Sequence, residues 1–258
     1  MPAEESQNQP VKPLPGIEEG FILRAVIFAN GLLNQPTLRR TEELVQYQAR
    51  NQARNQVEDQ VEDQVEDQVI IAADGGARHC LRLGIIPDVV IGDFDSLDDA
   101  ELAALEKAGS QFIRHPARKD YTDLELALRY AQEQGAREIL VLGALGARWD
   151  QSLANLLLPA IGIFAAANIT LVDGLQEIHL VRPDQGLEIQ GSPGDTVSLI
   201  PLGGKPLGIT TRGLEYPLHN ESLEFGGTRG ISNVLLSETA SVTLREGLLL
   251  CVVIHNRR

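Results

Sequence analysis

Only two cysteines, Cys80 and Cys251, occur in the 258 residues, far apart and without CxxC spacing. Neither a disulfide framework nor a zinc ribbon is therefore expected, and both read as buried, reduced thiols of a cytoplasmic protein. Positive charge is also in short supply: 22 Lys and Arg against 36 Asp and Glu leave a formal charge of −14. A chain of that sign does not bind nucleic acid by neutralising phosphates, and a polyanionic ligand needs a metal ion as intermediary. A basic and then apolar leader is missing as well, and residues 1–20 (MPAEESQNQPVKPLPGIEEG) form a polar, Pro-bearing tail expected to be disordered. The one long apolar stretch, Leu153 to Val172, contains Pro159 and Gly162 and ends in the β-branched ANITLV. It reads as a buried helix running into a buried strand, so no membrane partner is expected.

What is present suffices for a sizeable core: 43% of the residues are hydrophobic and 22% charged, in a length that accommodates one or two domains. Between residues 21 and 182, apolar runs alternate with helix-like segments. The runs are FILRAVIFA, VIIAAD, PDVVIGD, QFIRH, EILVLGA and NITLVDG. Continuously apolar runs of this kind predict an α/β fold, an open and mostly parallel sheet with helices on both faces. Ligands of such sheets bind outside the carboxyl ends of the strands. From about Leu187 the texture changes to short alternating segments broken by Gly and Pro, which predicts a C-terminal antiparallel β sandwich or barrel over residues 187–258. That part carries 6 basic and 7 acidic residues, so nearly all the excess negative charge lies before it. A four-residue repeat with Val57, Val61, Val65 and Val69 occupies residues 49–69. Its apolar face drifts about 40° per repeat on a helix, so it reads as a solvated low-complexity insertion in the α/β part.

Four clusters of chemistry fall where predicted strands end or helices begin. Asp74-Gly75-Gly76 follows VIIAA, where glycines allow close approach of a phosphate and a helix N-terminus comes next. Asp93-Phe94-Asp95-Ser96 follows PDVVIG. In an extended chain its two carboxylates share one face, about 6 to 7 Å apart, and suit a shared Mg²⁺. Ser96 with Asp99 is expected to cap a helix starting at Leu97. Lys119-Asp120-Tyr121-Thr122-Asp123 precedes an amphipathic run, with Thr122 and Glu125 at capping-box spacing and a cation beside an acid just outside the helix. Arg148 and Asp150 follow EILVLGALGA. The arginine suits a bidentate phosphate contact, and the aspartate reads as a helix cap.

Together the clusters resemble the thiamine pyrophosphokinase (thiamine diphosphokinase) family, whose pattern runs DGG, PDxxxGDFDS, KDxTDLExAL and GxxGxRxDHxLAN. The matching stretches are Asp74 to Gly76, Pro87 to Ser96, Lys119 to Leu128 and Gly143 to Asn155, continued by Gly213 to Leu218 and Ile231 to Asn233. The resemblance implies transfer of the pyrophosphoryl group of ATP to the hydroxyl of thiamine, with Mg²⁺ as cofactor. It also implies an ATP- and Mg²⁺-binding domain over residues 21–182, a thiamine-binding β domain over 187–258, and a homodimer with thiamine sites between subunits. By position, Asp74, Asp93, Asp95 and Asp120 are the implied catalytic residues, with Asp93, Asp95 and Asp120 on the metal. Gly75, Gly76, Ser96, Lys119, Thr122, Asp123, Arg148 and Asp150 are implied on the nucleotide, and Ser232 and Asn233 on thiamine. Gln151 stands where the family pattern has His, Ala147 where Gly is common, and Trp149 where Leu is common. The alternatives are a Mg²⁺-dependent pyrophosphokinase acting on another alcohol such as a pterin, a sugar-nucleotide transferase, and a non-catalytic sensor of ATP or thiamine.

Overall fold

The computed structural model describes residues 23–34, 68–146, 148–183 and 185–256. The expected N-terminal tail and repeat residues 49–67 lie outside them. Six strands, β1 (Leu23–Phe28), β2 (Gln68–Ala73), β3 (Val89–Gly92), β4 (Gln111–Arg114), β5 (Ala136–Leu142) and β6 (Asn168–Asp173), are parallel in the order β4-β3-β2-β1-β5-β6. Among the described residues four helices accompany them: α1 (Gly76–Leu83), α2 (Asp99–Ala108), α3 (Asp123–Glu133) and α4 (Trp149–Leu157). Alternation along β1 explains why both faces are covered. Ala25 and Ile27 join the cluster holding Leu124, Ala127 and Leu128 of α3. Val26 and Phe28 point the other way, into the cluster of Ala77 and Cys80 from α1 and Leu105 from α2.

Local signals set the helix ends. Helix α1 stops at Gly84, which adopts the left-handed φ of 69°. Helix α2 begins with a capping box in which Asp98 accepts from the Glu101 N–H and Glu101 accepts from the Asp98 N–H. The expected cap of that helix was Ser96 with Asp99, but the helix starts two residues later than Leu97, and Ser96 is freed for the site. Thr122 caps α3 as the spacing predicts. The apolar stretch from Leu153 resolves into most of α4, two short 3-10 turns (Leu158–Ala160 and Gly162–Ala166) and β6. Among the described residues no helix is long and apolar enough to cross a membrane.

Strand β6 turns at Gly174 (φ 65°) into β7 (Gln176–Val181), which is antiparallel to it. Beyond come β8 (Leu187–Gln190), β9 (Thr196–Leu207), β10 (Thr210–Arg212), β11 (Asn233–Val234), β12 (Thr239–Thr243) and β13 (Glu246–Ile254). Strands β7, β13, β9 and β11 extend the same sheet to ten strands, while β10, β12 and β8 form a separate antiparallel sheet. The two layers enclose a second core of Val181, Ile189, Val197, Leu199, Val242 and Cys251, among others. The fold is thus an open, mostly parallel sheet with helices on both faces, continued into an antiparallel sandwich. Cys80 and Cys251 are buried in different cores and unpaired with each other.

Candidate functional site

The strand following β1 lies on one side of it and β5 on the other, so the sheet order reverses there. An open α/β sheet forms its ligand crevice outside the carboxyl ends of the strands at such a point. A cavity of about 370 Å³ lies at this place. Its walls come from the ends of β1 (Asn30, Gly31), β2 (Asp74), β3 (Asp93, Asp95, Ser96) and β5 (Gly143, Ala144, Gly146). The starts of α3 (Thr122, Asp123) and α4 (Arg148, Gln151, Asn155) complete it.

Asp74 is 5% exposed and holds a left-handed backbone, φ 45°. Its N–H donates to the Ile91 carbonyl at 2.8 Å and its own carbonyl accepts from the Ala77 N–H at 3.0 Å, which fixes the turn from β2 into α1. Its Oδ1 is buried without a hydrogen-bond partner. Gly75 and Gly76 were expected to let a phosphate approach, but neither lines the cavity. They let α1 approach β1: a Cβ on Gly76 would lie 1.9 Å from the Phe28 carbonyl oxygen, and one on Gly75 would meet Asn30 at 2.3 Å.

The second cluster is not the extended dipeptide that its pattern predicts. Strand β3 ends at Gly92, and Phe94 is left-handed with φ 66°. Its ring is buried on the α1 face, so the acids project into the cavity from a tight turn. Carboxylate oxygens of Asp74, Asp93 and Asp95 lie within 4.8 Å of one another. Asp93 Oδ1 accepts from the Asp95 N–H at 3.2 Å, and Ser96 Oγ donates to Asp95 Oδ1 at 3.3 Å while accepting from Asn30 Nδ2 at 3.2 Å. An oxygen-only donor set with one orphaned buried oxygen fits a hard divalent cation such as Mg²⁺.

Asp120, expected among the metal ligands, is exposed on the loop before α3 and lies outside this group. Because Thr122 caps α3, the residue that the helix start turns toward the carboxylates is Asp123. A Cβ on Gly92 would sit 3.1 Å from its Oδ1 and 2.9 Å from the Asp74 Cβ. Burial pushes the Asp123 carboxyl above the usual range, against the pull of the Lys119 ammonium bonded to it. Lys119 is committed to that ion pair. Asp150 does not cap α4, whose N-cap is Arg148; the two form an exposed ion pair at 2.5 Å. Ser232 and Asn233 are far from all this. Asn233 lies on β11, seven strand positions from β2 in the sheet, roughly 34 Å at the usual strand spacing. There the Ser232 N–H donates to Ser198 Oγ at 3.0 Å, and the Asn233 amide clasps both backbone groups of Tyr216 at 2.8 and 3.0 Å.

The residue pattern did not single out Asn30 and Gly31, since an Asn-Gly after an apolar run is an ordinary turn signal and only the strand order makes it a crevice wall. Gly31 is required there, as a Cβ would lie 2.4 Å from the Gly143 carbonyl oxygen. Asn155 donates to the Ala144 carbonyl at 2.7 Å and so shapes the β5 loop.

Two family models match the chain: "Thiamin pyrophosphokinase, catalytic domain" over residues 63–171 and "Thiamin pyrophosphokinase, vitamin B1 binding domain" over 178–249. The thiamine pyrophosphokinase of Bacillus subtilis (strain 168) is 32% identical over 182 residues, 70% of this chain and 85% of that protein. Thiamine pyrophosphokinase 1 of Arabidopsis thaliana is 31% identical over 205 residues, 69% of this chain and 75% of that protein. The crystal structure of the Bacillus subtilis thiamine pyrophosphokinase superposes with a TM-score of 0.72 at 27% identity, covering 91% of this chain and all of that one. Yeast thiamin pyrophosphokinase, at 16% identity and a TM-score of 0.66, shares the fold.

Proposed function

The chain belongs to the thiamin pyrophosphokinase family, and on that premise we propose that it transfers the pyrophosphoryl group of ATP to the hydroxyl of thiamine, giving thiamine diphosphate and AMP. The observation that carries the reading is the meeting of Asp74, Asp93 and Asp95 in the crevice where the sheet order reverses. In the reaction the hydroxyl oxygen of thiamine bonds to the β-phosphorus, the bond from that phosphorus to the α,β-bridging oxygen breaks, AMP departs, and the hydroxyl proton is lost. Such a transfer depends mainly on alignment and on offsetting phosphate charge.

Asp74, Asp93 and Asp95 would hold Mg²⁺. When bound, the ion neutralises the phosphate chain. The roles of the other groups follow from their places. Asp123 adds negative charge beside the three, and Lys119 fixes its orientation. Arg148, exposed at the rim, is free to exchange Asp150 for phosphate oxygens. Asp120, on the same loop as Lys119, would act only once substrate brings it inward. The acidic crevice also suits a thiazolium cation.

The division of labour proposed is nucleotide binding by residues 21–182 and thiamine binding by 187–258. Asn233 and the carboxylates are too far apart to meet in one chain, which supports a homodimer that brings them together from two copies. Buried, unpaired thiols support a cytoplasmic site of action. The test is incubation with ATP, Mg²⁺ and either thiamine or a hydroxymethyl pterin. AMP released with thiamine alone is expected. Release with the pterin alone would move the enzyme to another alcohol, and nucleotide binding with no AMP would leave a sensor.

A further inference from the structure

The turn Gly92–Ser96 supplies two of the three converging carboxylates, yet little within it imposes its shape. Phe94 is held at φ 66°, a region unfavourable to a residue with a bulky side chain. The turn's own hydrogen bonds are long: Asp95 N–H to Asp93 Oδ1 at 3.2 Å and Leu97 N–H to the Phe94 carbonyl at 3.4 Å. The His115 N–H holds the turn's first carbonyl, on Gly92, at 2.8 Å, and Asn30 reaches Ser96 Oγ at 3.2 Å; the carbonyls of Asp93 and Ser96 are held by two arginines from outside. Arg78 on α1 donates to the Ser96 carbonyl, and its guanidinium is fixed by a fork onto Glu101 at 2.7 and 2.9 Å. Arg114 at the end of β4 donates to the Asp93 carbonyl at 2.8 Å and lies over the Phe94 ring, 4.6 Å from its centroid. That ring meets Phe112 edge-on at 5.3 Å.

Both cations therefore grip backbone carbonyls on either side of the strained residue. Their bonds to the turn go to these carbonyls, leaving the Asp93 and Asp95 carboxylates available to a ligand. We propose that Arg78 and Arg114 are positioning residues, a two-sided clamp that holds the turn in the shape that presents Asp93 and Asp95 beside Asp74, and so set the affinity for divalent cation. This rests on the reading of those carboxylates as the Mg²⁺ site.

The test is titration of the full chain with Mn²⁺ alone, followed by electron paramagnetic resonance, together with the Mg²⁺ dependence of AMP release and thermal melting. Wild type is expected to show a site that Asp95→Asn abolishes. Arg78→Met and Arg114→Met should bind Mn²⁺ about tenfold more weakly, the low end for loss of one charged hydrogen bond. The half-saturating Mg²⁺ should rise by the same factor, a shift that a mere loss of folded enzyme does not produce. Arg114→Lys should recover most of the affinity, because one donor and the charge remain; Arg78→Lys should not, because the fork is lost. Wild-type Mn²⁺ affinity in both Met variants, with Asp95→Asn still abolishing the site, would overturn the clamp and leave the carboxylate reading standing. Absence of any Asp95-dependent site in wild type would overturn that reading and the clamp with it.

Discussion

A buried carboxylate oxygen without a hydrogen-bond partner, as on Asp74, is costly by itself, and a cation bound beside Asp93 and Asp95 would offset that cost. On that ground Asp95→Asn should lower AMP formation by at least about a hundredfold, since an amide is a poor ligand for Mg²⁺. The melting temperature should hold or rise, because one charge leaves a cluster of three. Asp123→Asn should cost more activity than Asp120→Asn, and steady-state rates of the two variants decide it. The acids themselves were legible in the sequence because each stands next to an apolar strand or a helix cap. Which of two acids three residues apart faces inward was not. It depends on the turn of α3 that Thr122 starts, and the KDxTD pattern admits either. The left-handed Phe94 was likewise hidden, because nothing in GDFDS distinguishes an extended chain from a tight turn.

At the level of elements, caps and close approaches are doing separable jobs. Asp98→Ala removes the cap of α2 and should cost about 1 kcal/mol, lowering the melting temperature by about 2 to 4 °C. Glu101 links that cap to Arg78, whose fork pushes its carboxyl down to about 2. Its folded value is below its unfolded one, so the stabilisation is fully present above about pH 4.5 and is lost as pH falls toward 2. Glu101→Gln should therefore flatten the fall in melting temperature between pH 5 and 3, read by calorimetry. The element types followed well from the sequence: apolar runs gave parallel strands, and Gly84 and Thr122 marked helix ends. Strand β7 did not stand out, because Gln176, Glu177 and His179 interrupt its apolar pattern, and its place is set by distant β13 as well as by the adjacent β6.

Across the whole molecule, one ten-stranded sheet carries the carboxylates near one edge and Asn233 at the other. The residue pattern shows two textures but not that they share a sheet, since the pairing of β7, β13 and β9 joins segments remote in sequence. If a second copy brings the two ends together, each site takes its acids from one subunit and its thiamine segment from the other. Mixing Asp95→Asn and Asn233→Ala subunits, each inactive alone, should then restore about a quarter of wild-type activity through hybrid dimers with one intact site. No recovery on mixing would place both ends of the site in the same subunit. Pyrophosphoryl transfer at the carboxylate crevice can be followed by ³¹P NMR of ATP, Mg²⁺ and thiamine with wild-type enzyme and with Asp95→Asn. Wild type should give equal amounts of AMP and thiamine diphosphate and no ADP, and the variant neither product. Accumulation of ADP, AMP formed without thiamine, or undiminished turnover by Asp95→Asn would rule out pyrophosphoryl transfer by these carboxylates.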